Sequence, residues 1–173
     1  MLDREIVVHQ DEILERWIDE VFNGYPEETA RFLRSNPDRF SNPVGAGLRE
    51  GLKVLLDGVL SGVGPEELEA DLDRILRVRA VQEFEPSIAV GFVFGLKDLL
   101  RRFAGEDADD SFEILDRRIE RLGMCAFDVY MRCREQMWQI RAREIRNQSV
   151  GIMERVAEWR KRRDKSSEDV PQT

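Results

Sequence analysis

Histidine is nearly missing from this chain: His9 is the only one in 173 residues. A haem or zinc site built on imidazole is therefore disfavoured. Any serine, threonine or cysteine nucleophile would lack a histidine base unless His9 served. A lone histidine near a helix start reads as an ordinary surface residue. Cysteine is almost as scarce. Cys125 and Cys133 lie eight residues apart on one helical stretch, a spacing that suits neither a disulfide nor a zinc knuckle. Reduced thiols fit a cytoplasmic setting. The N-terminal Met1-Leu2-Asp3-Arg4-Glu5 carries no signal-peptide pattern, and no window approaches eighteen uncharged apolar residues, so no intrinsic membrane span is expected.

Other absences narrow the chemistry. No segment alternates apolar and polar residues with a β-branched bias, which excludes a sheet. No glycine loop sits between a strand and a helix, so no phosphate cradle is expected. Carboxylates are plentiful, as in Glu66-Glu67-Glu69, Asp71 and Asp73, and Glu106 to Asp110. Without Glu-x-x-His motifs they read as solvated helix faces and not as a carboxylate metal site. No internal repeat is present. The chain is expected to be non-enzymatic and without cofactor.

What remains is helix. Apolar residues make up 42% and charged residues 36%, a composition suited to a folded domain with a core of its own. Apolar spacing predicts a first helix from about Asp3 to Phe22, ended by Gly24 and Pro26. A short helix from Pro26 to Leu33 follows, then an irregular run from Ser35 to Pro43. Asn42 and Pro43 form a good N-cap and first-turn pair for a helix reaching about Leu60. Gly45, Gly47 and Gly51 each cost that helix about 1 kcal/mol relative to alanine. Their presence suggests close approach by another chain segment. Pro65 opens a helix ending near Phe84, and another runs from Ile88 to Phe103. Gly91 and Gly95 have the spacing of a close helix crossing. Gly105 to Asp110 reads as an acidic loop.

The last third, from Ser111 to about Lys165, reads as one helix about 80 Å long at 1.5 Å per residue. The residues before it make a body only about 35 Å across, so half the helix is expected to protrude. Residues 166–173 read as a disordered tail. The expected organisation is one helical domain over 1–165, with 111–165 as its long C-terminal helix.

Net charge is −8, which argues against general nucleic-acid binding by the chain as a whole. It is unevenly spread. Residues 141–165 hold nine Lys/Arg against four Asp/Glu, whereas residues 1–140 hold eighteen against twenty-nine. The basic end reads either as a solvated helix terminus with well-placed cations or as a surface for an acidic partner, lipid or nucleic acid. Ile145, Ile152, Val156 and Trp159 form an apolar stripe there that the body cannot cover, and a homodimer is the expected outcome. Arg160, Arg162 and Arg163 are candidates for docking a partner. Arg74, Arg77 and Arg79, with Arg132, Arg134 and Glu135, are candidates for inter-helix ion pairs at the core edge or for a pocket between helices, with Arg77, Arg79, Arg134 and Glu135 the candidate polar cluster.

Two stretches carry a family resemblance. Arg77–Lys97 contains Pro86-Ser87-Ile88-Ala89-Val90-Gly91-Phe92, and Ala126–Glu135 contains Tyr130-Met131-Arg132-Cys133-Arg134-Glu135. Together with Trp17, Tyr25-Pro26 and Phe40-Ser41-Asn42-Pro43-Val44-Gly45, they resemble the N-terminal domain of RsbRD-type proteins, co-antagonists of the RsbT kinase in bacterial stress signalling. The resemblance covers most of residues 5–150. It implies an all-α, non-enzymatic input domain, either globin-like without haem or a plainer bundle. It also implies dimers that pass a conformational signal through the long last helix. In full-length regulators a STAS or kinase output domain follows such a helix; no STAS-like strands follow Lys165 here, which puts direct RsbT control and stressosome assembly in doubt. Single-domain relatives near membrane redox complexes of anaerobic sulfur respiration imply an alternative accessory role.

Overall fold

The structure, a computed structural model, describes residues 4–35, 40–104 and 109–168, with side chains in the last helix from 112 to 161. The described residues form seven helices: α1 Arg4–Val8, α2 Gln10–Asn23, α3 Glu27–Ser35, α4 Pro43–Ser61, α5 Glu69–Val81, α6 Pro86–Phe103 and α7 Asp109–Glu168. Among the described residues there is no strand. The chain forms two compact units, Met1–Arg134 and Glu135–Thr173.

The first unit is a bundle. α2 packs against α6, α4 and α3, and α4 packs along α5. Its core takes one apolar face from every helix, including Phe112, Leu115, Ile119, Leu122, Ala126 and Val129 of α7. Trp17 on α2 is fully buried. Its indole N–H donates to the Phe92 carbonyl at 2.9 Å, and its ring stacks on Phe92 at 5.9 Å. That bond satisfies the one polar group the side chain brings into the core.

Capping explains several boundaries. Asn42 is fully buried between α3 and α4. Its Oδ1 accepts the Gly45 N–H at 2.9 Å, the N-cap the sequence predicts. Its Nδ2 also donates to the last carbonyls of α3, Phe32 at 3.1 Å and Leu33 at 3.0 Å. One side chain therefore closes two helix ends. α4 stops at Gly62, which adopts the left-handed φ of 81°. Arg118 of α7 completes that end by donating to the Val59 and Leu60 carbonyls, both at 2.8 Å.

Four expectations change. The first helix is divided at His9, whose ψ of 14° re-aims the chain while hydrogen bonds continue on both sides. Two β-branched valines precede it and fit a helix poorly. Residues 65–68 form turns, with Glu67 N–H bonded to Gly64 O and Leu68 N–H to Pro65 O, so α5 starts later than Pro65. Close approach falls elsewhere than at Gly91 and Gly95. A Cβ at Gly91 would meet nothing within 4 Å, and one at Gly95 only the Glu20 carboxylate at 3.8 Å. A Cβ at Gly47 would likewise meet only ordinary contact, whereas one at Gly58 would lie 2.7 Å from Leu68. Glycine is needed along α4, where a Cβ at Gly51 would lie 3.2 Å from Ile75, and at Gly123 of α7, where it would run into the Phe94 ring of α6. Finally, α7 begins at Asp109 and runs to Glu168, so residues 166–168 are helical. The remainder of the expected tail, and the expected loop over 105–108, lie outside the described residues.

Candidate interaction surfaces and a buried arginine

The second unit offers a helical surface. From residue 135 to 161 every described side chain except those of Met137 and Gly151 is exposed. Trp138, Ile145, Ile152, Val156 and Trp159 are 61%, 64%, 54%, 43% and 60% exposed. Isolated exposed apolar residues need no explanation, but a row of them at helical spacing does. Arg160 is exposed on the same segment. The side chains of Arg162 and Arg163 lie outside the described residues.

The candidate polar cluster resolves into separate environments. Arg77 is exposed and pairs with Asp73 one turn back on α5, at 2.8 Å. It borders an open groove of about 640 Å³ between α4 and α5, floored by Val44, Val78 and Val81. Arg134 is half-buried on α7. Glu135 opens the second unit, where it accepts from Gln139 at 3.4 Å. Arg74 and Arg132, from the same sequence-predicted set, do make inter-helix ion pairs. Arg132 of α7 reaches Glu69 of α5 at 2.7 Å, and Arg74 of α5 reaches Glu50 of α4 at 3.6 Å. Lys97 of α6 pairs with Asp116 of α7.

Arg79 is the exception to ordinary surface pairing, at 2% exposure. No carboxylate accepts it among the described residues. Its Nη1 donates to the Ile88 and Ala89 carbonyls at 3.0 and 3.1 Å, and its Nη2 to the Val21 carbonyl at 3.4 Å. The guanidinium lies 4.8 Å from the Phe92 ring, 5.2 Å from Phe84 and 5.3 Å from Tyr25. A weakly hydrated planar cation tolerates such an aromatic cage better than an ammonium would. Burial lowers its pKa, opposed by the Tyr25 hydroxyl beside it and by Tyr130. Burial likewise raises the Tyr25 phenol, with Arg79 acting against it. The arrangement ties the C-terminal end of α2 and the end of α5 to the first turn of α6. It is a tertiary clasp around a charge that is 2% exposed.

Neither cysteine is poised for chemistry. Cys133 is buried, 3.4 Å from Asp73, and burial followed by that carboxylate pushes its thiol up to about 11. Burial raises Cys125 as well, with Glu69 and Glu66 adding to it. Both thiols are thus held protonated at neutral pH, unlike reactive cysteines. His9 is partly exposed, with Glu5 at 3.8 Å and Glu12 at 3.4 Å, and its ring lies tilted 5.4 Å from that of Phe103. Among the described residues no group of His, Cys, Asp and Glu could hold a metal ion, and no helix is long and apolar enough to cross a membrane.

These parts define an all-α helical domain whose polar residues act as caps, clasps and pairs. The family follows from comparison with known proteins. Residues 11–145 match the model of the RsbT co-antagonist protein rsbRD N-terminal domain, and the chain belongs to that family. The family is a regulatory signalling domain, as the resemblance implied. An uncharacterized protein of Archaeoglobus fulgidus is 24% identical over 155 residues, spanning 87% of this chain and 93% of the relative. No solved structure matches. The family match ends at residue 145, so Ile152, Val156 and Trp159 lie beyond it.

Proposed function

We propose that this protein is a regulatory protein–protein interaction module of stressosome-type signalling, with no enzymatic step of its own. Its helical segment 135–161 is the surface that engages the next component. The observation that carries this reading is the apolar row Trp138, Ile145, Ile152, Val156 and Trp159, each more than two-fifths exposed. Membership of a regulatory family supports it. The buried charge of Arg79 is enclosed by the bundle, so the clasp serves the fold that presents the segment. A cytoplasmic setting accords with two free thiols.

The test uses Ile145→Asp with Ile152→Asp in the full chain. Both positions are exposed, so the bundle should keep its thermal midpoint. Partner capture from native cytosol and from solubilised membrane should be lost. Capture of the same partner at wild-type yield would defeat the reading.

The excess of basic residues over 141–165 favours one alternative, docking onto a membrane-associated redox complex through Arg160, Arg162 and Arg163. Reversing those three charges would abolish such docking and leave the fold intact. Nucleic-acid binding by the same helix requires affinity that falls steeply with salt; no shift of a DNA probe at low salt removes it.

A further inference from the structure

The apolar row of the second unit has a finer period than its bulky members alone reveal. Trp138, Ala142, Ile145, Ser149, Ile152, Val156 and Trp159 succeed one another at alternating steps of four and three residues. That is the a/d seam of a coiled coil, kept over three heptads within one helix. All seven are exposed. The hydroxyl of Ser149 donates to the Ile145 carbonyl at 2.9 Å, so covering the seam would strand no hydroxyl proton.

The positions flanking a seam choose its partner. Here they are Gln139, Arg141, Arg146, Gln148, Met153, Arg155 and Arg160, four arginines and no acid. The acidic residues between Trp138 and Trp159, Glu144, Glu154 and Glu158, fall on the opposite side of the helix, and Glu135 lies just before the seam begins. A second copy in parallel register would set Arg141 against Arg146 and Arg155 against Arg160. An antiparallel copy would match flanks that again hold no carboxylate. Parallel self-pairing would also stack Trp on Trp and Ala on Ala, leaving the layers unequal in volume. Like charges placed across a seam act against that pairing, as in natural coiled-coil discrimination.

From this we infer that the seam from Trp138 to Trp159 is a docking site for an amphipathic helix of a different protein, one with Glu or Asp along both flanks of its own apolar stripe. The occupant is heterotypic and acidic; the homodimer expected from the apolar stripe alone is opposed by the arginines that border it. The inference deepens the proposed function and rests on segment 135–161 as the engaging surface.

The experiment titrates the full chain by calorimetry with two synthetic helices about four heptads long, both with leucine in the seam. One has Glu at every flanking position and the other Lys. The Glu helix should bind at least about 100-fold more tightly than the Lys helix. Arg146→Glu with Arg155→Glu leaves two arginines against two glutamates along the flanks and should erase that preference, and Ile145→Asp with Ile152→Asp should abolish binding of either. Equal affinities, or no binding of the Glu helix, would overturn the inference. So would a dimer in sedimentation that the Ile145→Asp, Ile152→Asp chain loses, because the occupant would then be a second copy. Binding to phosphatidylserine vesicles with no binding to the Glu helix would assign the surface to lipid and overturn it too. The two readings fail separately. If the double Asp variant loses its cellular partner but no charge preference exists, only the acidic-helix assignment falls; if capture survives, the surface itself is wrong.

Discussion

Replacing Arg79 separates the roles of charge and shape in the clasp. Arg79→Ala removes two good hydrogen bonds from a charged donor, at 3.0 and 3.1 Å, and a longer one at 3.4 Å. It also empties the space between Phe92, Phe84 and Tyr25. Against this, it relieves the desolvation that lowers the group's pKa. The Ile88 and Ala89 carbonyls lie within α6 and remain available to its own ladder, so they are not stranded. The net loss should be about 2–4 kcal/mol, from a charged hydrogen-bond term of roughly 1.5–3 kcal/mol each reduced by that relief. Arg79→Met keeps the volume and discards the buried charge, so it should cost less, about 1–2 kcal/mol. Arg79→Lys keeps the charge but loses the planar fork and the ring stacking, and should cost at least as much as Met. Urea unfolding followed by far-ultraviolet dichroism gives the three differences. If Lys preserved wild-type stability while Met did not, the cation alone would be the stabilising element and the reasoning would be refuted.

Three further predictions concern the bundle. Asn42→Asp should destabilise it by about 2–4 kcal/mol in urea unfolding, although Asp is a good N-cap, because a carboxylate would face the Phe32 and Leu33 carbonyls that Nδ2 now serves; a loss under about 0.5 kcal/mol would contradict the double cap. Gly62→Ala should cost about 1–3 kcal/mol by the same assay, since φ is 81° and the new Cβ would meet the Arg118 guanidinium at 2.6 Å. Cys133 carries a sign: its folded pKa of about 11 exceeds the ordinary 9.0, so its contribution to stability is intact below pH 9 and lost as pH rises from 9 to 11. Alkylation at neutral pH should therefore spare Cys133 until the bundle unfolds, and rapid labelling of both thiols in the native state would contradict its burial.

Helices were legible in this sequence because their signals are local. Pro43 behind Asn42, Gly62 behind Ser61 and Pro86 behind Glu85 mark ends through backbone chemistry that a few neighbouring residues set. The misses share a different origin. Arg79 looks like the other arginines of α5, and its partners come from ten and 58 residues away. The second duty of Asn42 likewise depends on where α3 ends in space. Gly91 and Gly95 show the reverse error, a spacing that implies close packing where a Cβ would meet nothing at Gly91 and only ordinary contact at Gly95. On the C-terminal segment, bulky Ile145, Ile152, Val156 and Trp159 reveal a stripe, but Ala142 and Ser149 are too small to register as apolar. Only when all the intervening positions are laid on one exposed helix does the four–three alternation emerge, with arginines along both flanks.

The central claim is that segment 135–161 engages the partner. Amide hydrogen exchange of the full chain, alone and with the protein it captures, tests it most directly. The account predicts slowed exchange concentrated between Trp138 and Trp159, with the bundle helices little changed. Slowed exchange confined instead to the groove bordered by Val44, Val78 and Val81, with 138–159 unaffected, would contradict it.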